Sequence, residues 1–340
     1  MKRWQFWVGL IFSVVLLYWA LGKLRLSDVT SNLATASYIW LVPGVIVYMI
    51  AVWVRAWRWH YLLRPLKKIP TNTMFPIVAI GYMGNNIYPA RAGELLRAVV
   101  LKRREGVSIS ASLATIIVER IFDAVVMLGF VFLNLGELTR VTQGSGSSGT
   151  IELGFIGRIS IQEMAIGGAV IFLGALAVFL LAAMFPKMTE RLVNWSIEHL
   201  IPSRYRQKTK DLSQRFLEGL ESLRSPQEAL MVFVTSAIIW LLETGKYWFV
   251  MHAFHFQVSF FALMLMNGIV NLATTLPSAP GYIGTFDGPG IALLTAYGIP
   301  GAVAASYTLV LHAALWLPIT VLGAYYFLRE GYKWGEVPKV

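Results

Sequence analysis

Gly84-Asn-Asn86-Ile-Tyr-Pro89-Ala-Arg91-Ala-Gly93-Glu94 cuts into an apolar region that otherwise runs from residue 74 to 104. A second apolar region, 258–297, is cut by Leu276-Pro-Ser-Ala-Pro280-Gly281-Tyr-Ile-Gly284-Thr-Phe-Asp287-Gly-Pro-Gly290. Pro and Gly at this density stop a helix. Long apolar runs flank both breaks, which argues against surface loops. Broken backbone at membrane depth needs protein or water to satisfy its peptide groups. Both segments therefore read as re-entrant hairpins or broken helices.

The remainder of the chain fits that setting. Of 340 residues, 56% are hydrophobic and 14% charged, with a mean hydropathy of +0.62. Soluble domains hold roughly 45–50% apolar and about 25% charged residues. The excess cannot be hidden in a water-soluble core, so a soluble enzyme or a nucleic-acid-binding domain is excluded. Six stretches are long and apolar enough to span a bilayer: 5–22, 38–59, 108–135, 161–185, 227–251 and 300–328. The first lacks a small-residue cleavage site before Lys23 and reads as a retained helix. The expected fold is an all-α, polytopic membrane domain over 1–340, with about six transmembrane helices and two broken hairpins.

Lys and Arg placement sets the orientation. With the N-terminus cytoplasmic, 21 of the 29 basic residues fall inside, 4 fall outside, and Arg55, Arg91, Arg120 and Lys246 lie in the membrane. Both termini are expected in the cytoplasm. The net charge of +11 then reflects topology, not nucleic acid. Segment 186–226, with charges of both signs around Leu192, Trp195, Leu212, Phe216 and Leu220, reads as a cytoplasmic amphipathic linker. Gly93, Gly106 and the helix from Ser108 are followed about 190 residues later by Gly284, Gly298 and the helix from Pro300. Halves 1–135 and 161–328 then form an inverted repeat, a transporter layout.

Charges inside spans need a reason, because each costs about 2.5–3.5 kcal/mol at a helix centre. Glu94 and Arg97 are i,i+3 neighbours and are expected to pair, leaving Arg91 spare on the broken backbone, either as a phosphate seat or as part of an ion-pair network that holds the hairpin together. Glu119 and Asp123 share a helix face; Arg120 neutralises one, the other needs Arg91, Arg97 or a bound cation, and Arg120 with Asp123 reads as a buried, mainly structural pair. Glu243 and Lys246 are expected to neutralise each other, and Arg55 and Arg58 to snorkel among Trp53, Trp57 and Trp59. Asp287 either caps a half-helix or faces the cavity opposite Arg91, where it would bind a cationic headgroup or a proton.

There are no cysteines, and none of the five histidines falls in a metal-binding motif; His252 and His255, three apart, read as polar surface. No metal or other cofactor is expected. No Gly-rich ATP-binding loop occurs, so uphill transport would need an ion gradient or a partner.

Three motifs carry a resemblance. Asn86-Ile-Tyr-Pro89-Ala-Arg91-Ala-Gly93-Glu94-Leu-Leu-Arg97, Glu119-Arg120-Ile-Phe-Asp123 and Pro277-Ser-Ala-Pro280-Gly281-Tyr-Ile-Gly284-Thr-Phe-Asp287 together resemble the lysylphosphatidylglycerol synthetase transmembrane-region family, the flippase-like UPF0104 group. The resemblance implies a polytopic fold with re-entrant helices and translocation of lipid between leaflets. Asp287 stands where the family usually has Glu, and His312 where many members have Arg. The soluble aminoacyl-transfer domain of the synthetases is not expected here. The expected partners are membrane lipids, together with a second copy of the chain or a lipid-synthesising enzyme, and no nucleic acid.

The expected function is flipping of a phospholipid or polyprenyl-phosphate-linked lipid by a non-enzymatic, multi-pass protein of the cell membrane. The substrate-binding residues would be Asn86, Arg91, Glu94, Arg97, Glu119, Arg120, Asp123, Pro280, Gly281, Gly284 and Asp287. The alternatives are a secondary transporter of a small anionic solute and an intramembrane lipid-modifying enzyme, the latter with only Glu119 and Asp123 to work with.

Overall fold

In the computed structural model, residues 24–88, 91–134, 150–153, 157–160, 184–219, 226–275 and 279–331 are described, with scattered positions in 11–22, at 136 and in 166–181. The expected spans 5–22 and 161–185 fall largely outside the described residues. The elements in chain order are α1 (Leu26–Thr35), α2 (Leu41–Leu63), α3 (Thr71–Ile87), α4 (Ala92–Glu105), α5 (Ile109–Leu133), β1 (Thr150–Leu153), β2 (Gly157–Ser160), α6 (Pro186–Leu200), α7 (Ser203–Gly219), α8 (Pro226–Met251), α9 (Phe260–Ala273), α10 (Asp287–Ala296) and α11 (Gly301–Arg329). The fold is all-α apart from β1 and β2, a small antiparallel hairpin in the loop after α5.

Tyr38–Leu63, Gln227–Met251 and Gly301–Arg329 are long and apolar enough to cross a membrane. Helix α5 has 25 residues and an apolar composition interrupted by Glu119, Arg120 and Asp123. Its first turn is capped by Ser108, whose hydroxyl accepts from the Ala111 N–H; Ser259 caps α9 in the same way through Ala262. Apolar side chains left exposed on the spans, such as Val42, Ile46, Ile50 and Trp53, suit contact with lipid.

The first break turns the chain back on itself. Helices α3 and α4 pack so closely that a Cβ on Gly93 would lie 2.0 Å from the Gly81 carbonyl oxygen and 2.3 Å from the Asn85 nitrogen. Only glycine permits this approach. At the far end of the pair, Lys67 Nζ donates to the Glu105 carbonyl at 2.8 Å and pairs with its carboxylate at 2.9 Å. The two legs therefore begin and end together. The second break lies between α9 and α10, which also pack on each other.

Contacts between elements come in matched pairs. Helix α3 packs on α11 as α9 packs on α5, α4 on α5 as α10 on α11, and α2 on α3 as α8 on α9. At the centre, α2 and α8 run antiparallel: Trp40 lies by Phe249 and His252, Lys246 by Tyr48, and Arg58 by Ser236. One apolar cluster gathers around α2–α5 and the C-terminal part of α11. Another gathers around α8–α10 and the N-terminal part of α11. Segment 186–226 contains α6 and α7, tied by Lys210 to Glu198 at 2.8 Å, and α7 packs on α5. Leu192, Trp195 and Leu212 remain exposed.

Candidate functional site

The two breaks meet over a cavity of about 140 Å³, room for a few water molecules at about 30 Å³ each. Arg91 and Arg120 line it with Asp123, Arg55 and Glu243, and Tyr82, Asn85, Asn86, Asn271 and Tyr282 complete a largely polar and aromatic wall. Arg91 and Tyr282 are the two non-glycine residues with positive φ among the described residues, at 53° and 61°. That conformation is costly for residues with a Cβ. The Arg91 guanidinium carbon sits 5.8 Å from the centre of the Tyr282 ring, so the two breaks touch through these side chains.

A charge network runs through the helices behind the cavity. Arg97 pairs with Glu119, which lies 3.7 Å from Arg58. Arg58 grips Asp123 with both terminal nitrogens, at 2.6 and 3.2 Å, and also meets Ser236 at 2.5 Å. Asp123 accepts a further bond from the Trp240 indole at 3.0 Å and lies 3.5 Å from Arg120. Arg120 in turn lies 3.5 Å from Glu94, which is 3.9 Å from Arg91. On the other wall, Glu243 binds Arg55 at 2.7 Å and Lys246 at 2.5 Å. Six cations thus face four carboxylates.

The surplus is not spread evenly. Arg58 and Arg97 are held at hydrogen-bond distance, are nearly fully buried, and Arg97 also lies over the Trp59 ring at 4.1 Å. Arg91 reaches no carboxylate closer than 3.9 Å among the described residues and donates one long bond, 3.4 Å, to the Thr274 carbonyl. The Nε atoms of Arg91 and Arg120, like those of Arg55, Arg58 and Arg97, are buried without a hydrogen-bond partner. Arg91, 29% exposed, carries the least compensated positive charge of the network, and it lines the cavity together with Arg120, which lies 3.5 Å from both Glu94 and Asp123. An anion placed between the two arginines would gain charge-assisted bonds in a low dielectric.

Several expectations are corrected. Arg97 pairs across to α5 and not with Glu94, because its side chain points to the buried Glu119 while Glu94 turns to Arg120 and Arg91. Arg55 and Arg58 do not snorkel; they are 4% and 1% exposed, drawn inward by Glu243 and Asp123. Both Arg58 and Arg97 thus leave the cytoplasmic tally of basic charge for the interior. Lys246 does pair with Glu243, but Arg55 shares that carboxylate. The main partner of Asp123 is Arg58, not Arg120, and Arg120 stands on the cavity wall. Asp287 does not face Arg91: it is buried, accepts from the Gly284 N–H at 2.9 Å and meets His312 Nδ1 at 2.8 Å.

The remaining candidates frame the breaks. Asn86 donates to the Trp316 carbonyl at 3.2 Å and to Thr320 at 2.7 Å, pinning α3 to α11. Pro280 opens a 3-10 turn through Tyr282, and Gly281 and Gly284 take positive φ of 73° and 83°. Tyr282 escaped sequence reasoning, yet a signal exists. Pro89-x-Arg91-x-Gly93 and Pro280-x-Tyr282-x-Gly284 share one spacing, each member 191 residues from its counterpart.

Residues 6–323 match the family model described as lysylphosphatidylglycerol synthase TM region. The chain belongs to this family. A UPF0104 membrane protein of Methanothermobacter thermautotrophicus is 24% identical over 345 residues, covering 95% of this chain and 92% of that protein. A second UPF0104 membrane protein from the same organism is 24% identical, covering 87% of each chain. Glycosyltransferase AglD of Haloferax volcanii is 24% identical over 93% of this chain, which spans about half, 52%, of that longer protein. Membrane residence thus follows from the family and from the apolar helices together.

Proposed function

We propose that the chain translocates a lipid with an anionic, phosphate-bearing headgroup between leaflets, the headgroup crossing through the central cavity while the tails stay in the bilayer. The observation that carries this reading is the weakly paired Arg91 on the cavity wall, with Arg120 on the same wall. A phosphate crossing hydrocarbon unaided loses its hydration at a cost of several kcal/mol. Two arginine forks and the Asn85 amide on the cavity wall supply replacement donors. The paired contacts of the two halves and the antiparallel α2–α8 core support an inverted repeat, a layout in which two halves rock about a central site. Both termini are placed in the cytoplasm of a cell-membrane protein, since the basic excess survives the removal of Arg58 and Arg97 from it. The role is transport without catalysis, in association with membrane lipids. The AglD relative's name, glycosyltransferase, belongs to a protein of which this chain covers half.

The small cavity volume favours a second reading, a carrier of a small soluble anion, which needs no lateral opening. Mass spectrometry of lipids that co-purify with the detergent-solubilised protein separates the two. A phosphate-bearing lipid retained by wild type and depleted at least five-fold in Arg91→Ala is expected. Equal lipid content in both proteins would count against a headgroup seat at Arg91.

A further inference from the structure

In the first half of the chain, Glu94 on α4 faces Arg120 on α5 at 3.5 Å. In the second half, Asp287 at the start of α10 faces His312 on α11 at 2.8 Å. Both pairs join the leg after a break to the helix that follows it. The arginine side chain keeps its proton throughout the accessible pH range, whereas histidine is the side chain that gains and loses one near neutrality.

The hydrogen bonds around His312 fix how many protons the second pair holds. Nε2 lies 2.7 Å from the Gly281 carbonyl, an acceptor only, so Nε2 carries a hydrogen. Nδ1 lies 2.8 Å from Asp287 Oδ1, and one further proton must sit between these two atoms. Without it, an imidazole lone pair would confront a carboxylate oxygen at that distance in a buried site. The other Asp287 oxygen accepts from Gly284, and the Phe286 ring lies 4.6 Å from the imidazole.

No other charged side chain pairs with Asp287 or His312 among the described residues. Ionisable neighbours on the surrounding elements are Tyr247 on α8, whose ring is 6.5 Å from Phe286, Tyr307 on α11, which donates to the Tyr247 carbonyl, and Tyr282 in the break, with Arg91 beyond it. Helix α3 contributes Tyr82, α2 contributes Tyr48 and Arg55 on the cavity wall, α1 contributes Asp28 towards the start of α11, and α9 holds no ionisable residue.

We propose that Asp287–His312 is a proton-binding site and that the proton is the coupling ion of the carrier. With the proton bound, His312 bridges Gly281 and Asp287 and latches the second break to α11. Release of that one proton to solvent breaks the bridge, and Tyr282 and Phe286, which wall the cavity, are freed to move; rebinding a proton restores the latch. This rests on the central cavity being the translocation path, and it names what drives the cycle.

The test uses proteoliposomes of wild type, His312→Arg and His312→Gln, each confirmed monodisperse by size exclusion. The lipid probe is a fluorescent NBD-labelled anionic glycerophospholipid, read by dithionite quenching with and without an imposed gradient between pH 6 and pH 8. Wild-type lipid movement is expected to change at least three-fold with the gradient, and both variants to lose that dependence. Lipid movement in wild type that ignores the gradient, or a variant that keeps the dependence, overturns the coupling while leaving lipid translocation standing. A second arm does not depend on transport. Thr285→Cys, in the buried break, is labelled by maleimide from pH 6 to pH 8.5, in the wild-type and His312→Arg backgrounds. Labelling should rise at least five-fold more steeply in the wild-type background. Identical pH profiles overturn the latch even if no lipid moves.

Discussion

Arg58 and Arg91 carry the same side chain and do opposite work. Arg58 is 1% exposed and holds Asp123 with two bonds, so Arg58→Ala strands a buried carboxylate. A loss of about 3–5 kcal/mol is expected for breaking one side of such a pair. A lower yield of monodisperse protein and a lower melting temperature in detergent would register it. Arg91 has no close partner to strand, so Arg91→Ala should stay within about 1 kcal/mol of wild type in the same melt. A melt that drops equally for both variants would mean that Arg91 is a strut, not a ligand seat. At this scale the sequence shows that charges lie in spans, but not which ones meet. Arg97 chose Glu119 over Glu94, and Arg58 chose Asp123, because partners across helices compete with i,i+3 neighbours. Periodicity within one helix cannot rank the two.

The two breaks were legible as elements, since Pro and Gly interrupt apolar runs in both, and the 25-residue α5 and the helix ends at Gly106 and Gly298 follow the same punctuation. The β1–β2 hairpin was not, because Thr150–Ser160 lies in a loop whose neighbouring Gly and Ser carry no alternating pattern. Nor was the left-handed Tyr282, a conformation an aromatic residue rarely adopts. The close packing of α3 on α4 makes two sharp expectations. Gly93→Ala would put a methyl 2.0 Å from the Gly81 carbonyl oxygen, so the legs must separate. A loss of at least about 3 kcal/mol, comparable with severe overpacking, should appear as failure to recover folded protein, while Gly106→Ala, with open space around it, should cost about 1 kcal/mol for its positive φ alone. The Lys67–Glu105 contact brings the two ends of this hairpin together. Single cysteines at positions 70 and 106, introduced into a chain with no cysteine of its own, should therefore be labelled by an impermeant maleimide from the same face of the membrane. Labelling from opposite faces would make the hairpin a full span and dissolve the inverted repeat.

At the scale of the whole molecule, the membrane class follows from composition alone, and the order of glycines in the two halves points to the proposed repeat. The place where the halves meet follows from neither, because the Pro-x-Arg-x-Gly and Pro-x-Tyr-x-Gly motifs differ at the residue that touches across the break. Matched packing brings both breaks to one cavity, whose wall carries three cations, Arg55, Arg91 and Arg120, against two carboxylates, Asp123 and Glu243. A lipid phosphate is the anion we propose to occupy it. The direct measurement is transbilayer movement of NBD-labelled anionic phospholipid in proteoliposomes carrying wild type, Arg91→Ala or no protein, alongside release of a trapped soluble anion. Wild type should move the lipid at least ten times faster than protein-free vesicles, Arg91→Ala should lose most of that gain, and the soluble anion should stay trapped. Lipid movement no faster than in protein-free vesicles, with the soluble anion released by wild type and not by Arg91→Ala, would contradict lipid translocation and leave a small-anion carrier in its place.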